Sequence, residues 1–282
     1  MSFNILYNVP SLAAQNQMNM TSASLQQTLY RLSSGSRINS GADDAAGLAI
    51  ADGLQANVTA LSQSARNASD GLGALQVADG SLAQVTTLLN RAVTLATESA
   101  TGTVSDTQRT ALDAEFTAIK AEIDRIGSNT TYNSAAVFSG TTSAVYLTDA
   151  TTVGSSSIDI TVGKLASSSI GFAAGETPVD LSKSDLTTAA NAQAALANID
   201  TAIANVAGDR GSLGAVMNRL QSAGNVISNQ VQNLTQAESS IRSADISQEV
   251  ANMSKFNILQ QTGVAALQQS NQMNQGVLQL LR

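Results

Sequence analysis

The 282-residue chain contains no cysteine, no histidine and no tryptophan. Each absence excludes a chemistry. Without histidine there is no imidazole general base and no Ser-His-Asp or Cys-His nucleophile pair. Without cysteine or histidine the usual zinc, iron–sulfur and haem ligand sets are missing, and no disulfide can form. No catalytic, metal or cofactor-binding residue is assigned, and the chain is expected not to be an enzyme. A net charge of -7 removes the basic footprint that nucleic-acid binding requires. No apolar run approaches the roughly 18 residues of a membrane span. The stretch from Met1 to Pro10 has no positive n-region followed by an apolar h-region, so no cleaved secretory signal is expected. Aromatic residues make up 3% and charged residues 12%, with two prolines, Pro10 and Pro178.

What remains is 43% apolar, mostly Ala, Leu, Val and Ile. That composition suits narrow helix–helix seams better than a thick core built on aromatic rings. Hydrophobic periodicity outlines two helical blocks around a different middle. In the first block Leu54, Val58, Leu61, Ala65, Ala68, Leu72 and Leu75 step by four and three. The register passes through Asp79, resumes at Leu82, then changes phase to Val85, Leu89, Ala92 and Ala96. After a turn at Thr101 to Val104, Ser105 stands three residues before Gln108, the capping-box spacing. Leu112, Phe116, Ile119, Ile123 and Ile126 continue the pattern, and Gly127 stands where a helix C-cap is expected. The second block opens near Asp185 and carries Leu196, Ile199, Ile203, Val206, Leu213, Met217, Leu220, Ile227, Val231, Leu234 and Ile241. Arg210, Gly224 and Glu238 occupy its missing positions. Uninterrupted from 185 to 242, such a helix would be on the order of 85 Å long, and that length needs partners along its side.

Between the blocks, Ser, Thr and Gly dominate. Ser157 to Val162 alternates with period two, a strand signal, and Val145 to Leu147 is a weaker one. At the chain ends, Ser11 to Ser33 reads as a helix with Ser11 as its cap and Met18, Leu25, Leu29 and Leu32 in register. Asp245, three residues before Gln248, opens a terminal helix through Val250, Met253, Phe256, Val264 and Leu267 to Val277 and Leu281. Its polar positions are mostly Gln and Asn rather than Lys and Glu, which suits contacts repeated against copies of the same chain. The expected fold is mainly α: a long antiparallel coiled-coil or helical bundle formed by the N- and C-terminal segments, with a small β-rich insertion in the middle. The Asp43–Asp44 pair is read as a helix start, with the acids favoured by the macrodipole. The glycines of Gly71-Leu72-Gly73 are read as close-packing points, and Arg91 and Arg210 as interhelical ion pairs or subunit contacts.

Several longer strings are specific. Arg31-Leu32-Ser33-Ser34-Gly35, Arg37-Ile38-Asn39-Ser40 and Asp43-Asp44-Ala45-Ala46-Gly47-Leu48-Ala49-Ile50 resemble the N-terminal signature of bacterial flagellin. Asn67-Ala68-Ser69-Asp70-Gly71 and Leu88-Leu89-Asn90-Arg91 resemble its next stretch. Toward the other end, Ser212 to Leu220, Asn233 to Ser239, Ile241 to Asp245, Asn257 to Gln261 and Val277 to Arg282 resemble the same family. The resemblance covers about residues 1–139 and 185–282. The first ten residues depart from the family's Ile-Asn-Thr-Asn-like run.

The resemblance implies a subunit that self-assembles into the extracellular flagellar filament used for swimming. It implies an inner, polymerising terminal domain of residues 1–42 with 243–282. A helical bundle domain of 43–139 with 185–242 and an outward-facing variable insertion of 140–184 complete the division. The polymerising positions would include Leu25, Leu29, Leu32, Met253, Phe256, Leu267, Val277 and Leu281. Export by the flagellar secretion apparatus without a cleaved signal is implied. So are partners: other flagellin subunits, an export chaperone, and cap and junction proteins. A host flagellin-sensing Toll-like receptor would read Arg91, Leu95 and Glu115, although Thr94 replaces the acid that often precedes the Leu. Thr141, Thr142, Ser143, Ser155 and Ser156 are candidate O-glycosylation positions on a surface loop. No nucleic acid, membrane or cofactor is expected. The alternatives are a hook–filament junction or cap-associated protein, or a secreted adhesin using the middle segment. A protease of the kind carried by some flagellins uses histidine zinc motifs, which this chain cannot build.

Overall fold

The computed structural model describes residues 8–148, 156–171 and 178–280. Helices dominate: α1 (Val9–Ser34), α2 (Ala45–Ala100), α3 (Asp106–Asn129), α4 (Ala189–Arg242) and α5 (Ile246–Leu280). Four short strands lie between α3 and α4: β1 (Thr131–Tyr132), β2 (Ala135–Ala136), β3 (Thr142–Tyr146) and β4 (Ser157–Thr161). The chain divides into two compact units, residues 1–56 with 233–282 and residues 57–232.

The helix ends show local chemistry at work. Ser105 and Gln108 form the expected capping box, the Ser105 hydroxyl and the Gln108 amide each serving the other's backbone N–H. Asp245 Oδ1 accepts from the N–H groups of Ser247 and Gln248, as its spacing suggests. Asp44 Oδ1 accepts from Gly47 N–H at 2.8 Å, which confirms the Asp43–Asp44 pair as a helix start. Two caps sit elsewhere than expected. Asn8, not Ser11, caps α1, its Oδ1 accepting from Ser11 N–H at 3.0 Å. Thr188, not Asp185, caps α4 through Asn191 N–H at 3.1 Å, while Asp185 closes its own turn onto Thr187.

The unit of residues 57–232 holds the true core. Its buried positions on α2 form one seam at 61, 64, 68, 71, 75, 78, 82, 85, 89, 92, 96 and 99, with Leu95 buried beside it. These steps alternate three and four without a break. The phase change expected between Leu82 and Val85 is therefore absent. Ser64, Gly71 and Ala78 occupy the seam in place of Ala65, Leu72 and Asp79. On α4 the seam runs through Ala192, Ala195, Ile199, Ala202, Val206, Asp209, Leu213, Leu220 and Ile227. Again small residues displace Leu196 and Ile203, which are only half-buried. The small residue is selected where neighbouring side chains need the space, as those of Val145, Ile160 and Leu220 do at Gly71, whatever its hydropathy. Phe116, Ile119 and Ile123 bring α3 into the same core. Asp79 and Arg210, the two charges that interrupt the apolar patterns, meet each other at 2.7 Å.

The small seam residues of α2 carry the strands. A Cβ added at Gly71 would lie 2.8 Å from Val145 Cγ2 and 3.3 Å from Ile160 Cδ1. Ser64 Oγ donates to Thr148 O at 2.8 Å. β3 and β4 pair antiparallel, Thr142 opposite Thr161 and Tyr146 opposite Ser157, with Ile158 and Ile160 facing inward. β1 and β2, which carry no sequence signal, form a second hairpin whose turn residues Asn133 and Ser134 both have positive φ. Gly127 is not a C-cap. It lies within α3 and is buried because Leu165 O passes where its Cβ would be. Asp124 accepts from both the N–H and the hydroxyl of Ser167, and Asp113 from Leu186 N–H, so α3 holds the segment leading into α4.

Candidate assembly surface

The unit of residues 1–56 with 233–282 is built on α1 and α5, which approach closely and run antiparallel. Asn8 Oδ1, at the start of α1, accepts from Ser270 Oγ at 3.1 Å. Arg31, at its end, lies 3.7 Å from Glu249 near the start of α5. Among the described side chains, the fully buried residues of these two helices are Thr21, Thr28, Glu249 and Ser270, none of them apolar. A shallow seam of this kind, its large apolar side chains only half-buried, brings the backbones together but removes little apolar surface from water.

The turns that follow α1 and α4 are joined to each other. Gly35 adopts the left-handed conformation at φ 69° that ends α1. Arg37 N–H donates to Arg242 O at 2.6 Å, Ala244 N–H to Gly35 O at 3.0 Å, and Arg37 Nη2 to Ile241 O at 2.9 Å. Asp43 organises this turn. It accepts from Gln27 Nε2 at 2.8 Å and from the Asn39 and Ser40 N–H groups and the Ser40 hydroxyl. These donors, Gln27 foremost, hold its carboxyl down at about 2. Arg242 pairs with Asp52 at 2.6 Å in the same unit.

The contrast between the units is in their surfaces. Among the described residues, thirty of the thirty-two fully buried apolar side chains lie in the unit of residues 57–232. The other unit supplies only Ile38 and Ala51. Conversely, twelve of the fifteen large exposed apolar side chains lie in the terminal unit. On α1 they are Val9, Leu12, Met20, Leu29 and Tyr30. On α5 they are Ile246, Val250, Ile258, Leu259, Val264 and Met273, and Ile50 opens the list on α2. On α1, Val9, Leu12 and Tyr30 share the side turned away from the buried Thr21 and Thr28, and Met20 lies on the flank. No charged side chain occurs in the first 30 residues, nor between Phe256 and Leu280. Contiguous exposed apolar surface without charge marks an association site.

The heptad residues expected to polymerise divide. Leu25, Leu32, Met253, Phe256 and Leu267 are half-buried in the α1–α5 pair, and Leu29 is 45% exposed. The side chain of Val277 and all of Leu281 lie outside the described residues, as does Ser155. Sequence reasoning missed the second faces, those of Val9, Leu12, Tyr30, Ile246 and Ile258. Their signal was present as apolar residues out of heptad register. Arg91 and Glu115 do meet, Nε to Oε1 at 2.7 Å and Nη2 to Oε2 at 3.0 Å, and the hydrogen bonds lower the Glu115 pKa. Leu95 is 1% exposed and belongs to the core, so the surface there is the ion pair alone. Thr141, Thr142, Ser143 and Ser156 are exposed, with Thr142 Oγ1 3.1 Å from Thr161 Oγ1. Among the described residues no group of three acids is placed to hold a metal ion, and no helix is long and apolar enough to cross a membrane.

A mainly α chain with one finished core and one charge-poor helix pair left open is the architecture of an assembling structural protein. Comparison with known proteins gives the family. The bacterial flagellin N-terminal helical region matches residues 5–143, and the bacterial flagellin C-terminal helical region matches residues 196–281. A flagellin of Halalkalibacterium halodurans is 37% identical over 281 residues, covering 99% of both chains. A Bacillus subtilis flagellin is 32% identical over 99% of both chains. A solved flagellar hook-associated protein from Vibrio parahaemolyticus, 17% identical, covers 71% of this chain and all of its own with a TM-score of 0.58, and shares the fold. The chain belongs to the bacterial flagellin family, and it is a structural subunit of the flagellar filament.

Proposed function

We propose that α1 and α5 are the elements through which this chain polymerises, and that neighbouring copies cover their exposed apolar faces. The observation that carries this is the displacement of exposed apolar side chains into the unit that has almost no buried ones. Fully covering one such side chain contributes about 1.5–3 kcal/mol, and many are available to offset the cost of association. Heterologous contacts that do not close generate helical filaments rather than rings. On this reading residues 1–42 and 243–282 form the inner, polymerising domain. Residues 43–139 with 185–242 form the surrounding bundle, and 140–184 the outward insertion. The work of the chain is mechanical, with no catalysis.

The finer expectations follow from family membership. The chain is exported without a cleaved signal and meets an export chaperone, cap and junction proteins on the way. The exposed Arg91–Glu115 pair serves first as an interhelical tie and second as the surface a host flagellin-sensing Toll-like receptor would meet. Thr141, Thr142, Ser143 and Ser156 are open to O-linked sugars. Removal of residues 260–282 tests the central proposal. The truncated chain keeps its helical signal and the cooperative unfolding of the 57–232 unit, yet forms no filaments by negative stain. Long filaments from that truncation would refute it.

A further inference from the structure

We propose that Met20 and Met273 are sulfoxidation sites, and that their oxidation in the unassembled chain blocks filament growth. The inference rests on the reading of α1 and α5 as the polymerising elements. Without cysteine, histidine or tryptophan, methionine is the side chain most open to two-electron oxidants. The six methionines are unevenly placed. Five lie in residues 1–56 and 233–282, and only Met217 lies in the unit with the finished core. Of those described, Met18, Met253 and Met217 are half-buried, whereas Met20 is 58% and Met273 53% exposed. Both stand on uncharged helical stretches that also carry other uncovered apolar side chains, Leu12 on α1 and Leu259 on α5 among them.

The chemistry needs only a peroxide. The thioether sulfur attacks one peroxide oxygen and the O–O bond breaks. The sulfur loses two electrons and keeps that oxygen as a sulfoxide, and the other oxygen leaves as water. A flexible apolar side chain becomes polar and chiral. In water the new S–O group is hydrated at no cost. Against a neighbouring copy it must be desolvated, and an unpaired polar group resists burial. The unassembled chain is therefore the vulnerable state, and the filament protects itself by covering the same sulfurs.

The experiment uses the full-length chain, hydrogen peroxide and short seeds cut from its own filaments. Peptide mass mapping is expected to find oxygen added at Met20 and Met273 before Met18, Met217 or Met253. Oxidised chain is expected to elongate seeds at least tenfold more slowly, with recovery after treatment by the two methionine sulfoxide reductases. The Met20→Leu, Met273→Leu double variant, which keeps both positions apolar, is expected to elongate seeds at the same rate after peroxide as before it, whatever its untreated rate. In assembled filaments both methionines are expected to oxidise at least tenfold more slowly. Undiminished elongation by wild-type chain oxidised at both positions would overturn the proposal. So would equal inhibition of the double variant. Untreated chain that fails to elongate seeds would overturn the assembly reading, and this proposal with it.

Discussion

A Cβ at Gly127 would collide with Leu165 O, a backbone atom that cannot swing aside. Gly80, in the middle of α2, meets nothing within 4 Å. The two glycines should therefore respond oppositely to alanine. Gly127→Ala should destabilise the chain by about 1–3 kcal/mol through overpacking. Gly80→Ala should stabilise it by about 0.5–1 kcal/mol through helix propensity. Urea unfolding followed by circular dichroism reads both. Asp43 provides a pH test. Its carboxyl falls from 3.8 to about 2 on folding, so its contribution is complete above the unfolded value and is lost as pH falls through the folded one. Stability of the terminal unit should drop between pH about 4 and about 2, and the Asp43→Asn variant should lack that step. Exchange of the Ser40 amide against pH distinguishes the two chains. At this scale the sequence is legible where chemistry is local, as in the capping box of Ser105 and Gln108. It is illegible where the partner is distant: Gly127 reads as a cap until Leu165 is known to cross it.

The helices show which part of a heptad is visible beforehand. Leu61, Ala68, Leu75, Leu82, Leu89, Ile199, Val206, Leu213, Leu220 and Ile227 fall in the seam as their periodicity requires. Ser64, Gly71, Ala78, Ala195 and Ala202 do not announce themselves, because small size rather than hydropathy suits them to the seam. Reading large neighbours instead produced an apparent phase change in α2 that the structure lacks. The β3–β4 hairpin was visible in the alternation of 157–162, whereas two-residue strands such as β1 and β2 are too short for any period to show. The difference in core between the units also sets their dynamics. Amide exchange in the free chain should be slowest around Leu75 to Leu89 and in α3, and faster in α1 and α5, whose shared seam leaves its large apolar side chains only half-buried. Asn8→Ala should speed exchange further. It removes both the α1 cap and the acceptor for Ser270, at about 0.5–2 kcal/mol.

For the molecule as a whole, the scarcity of aromatic residues and charge acquires a physical meaning. One unit needs no aromatic core because its seams are narrow and continuous. The other leaves Val9, Leu12, Met20, Ile258 and Met273 in water and carries no charge over most of α1 and α5. The candidate surface was half legible: heptad residues such as Leu25 and Phe256 stood out, but they face the α1–α5 seam. The outward faces emerge only when burial shows which apolar residues remain uncovered. A helical reconstruction of the assembled filament measures the central claim most directly. The account predicts that these outward side chains become buried against neighbouring copies, while Leu89 and Phe116 keep the surroundings they have in the single chain. A filament in which Val9, Leu12, Ile258 and Met273 still face solvent would contradict it.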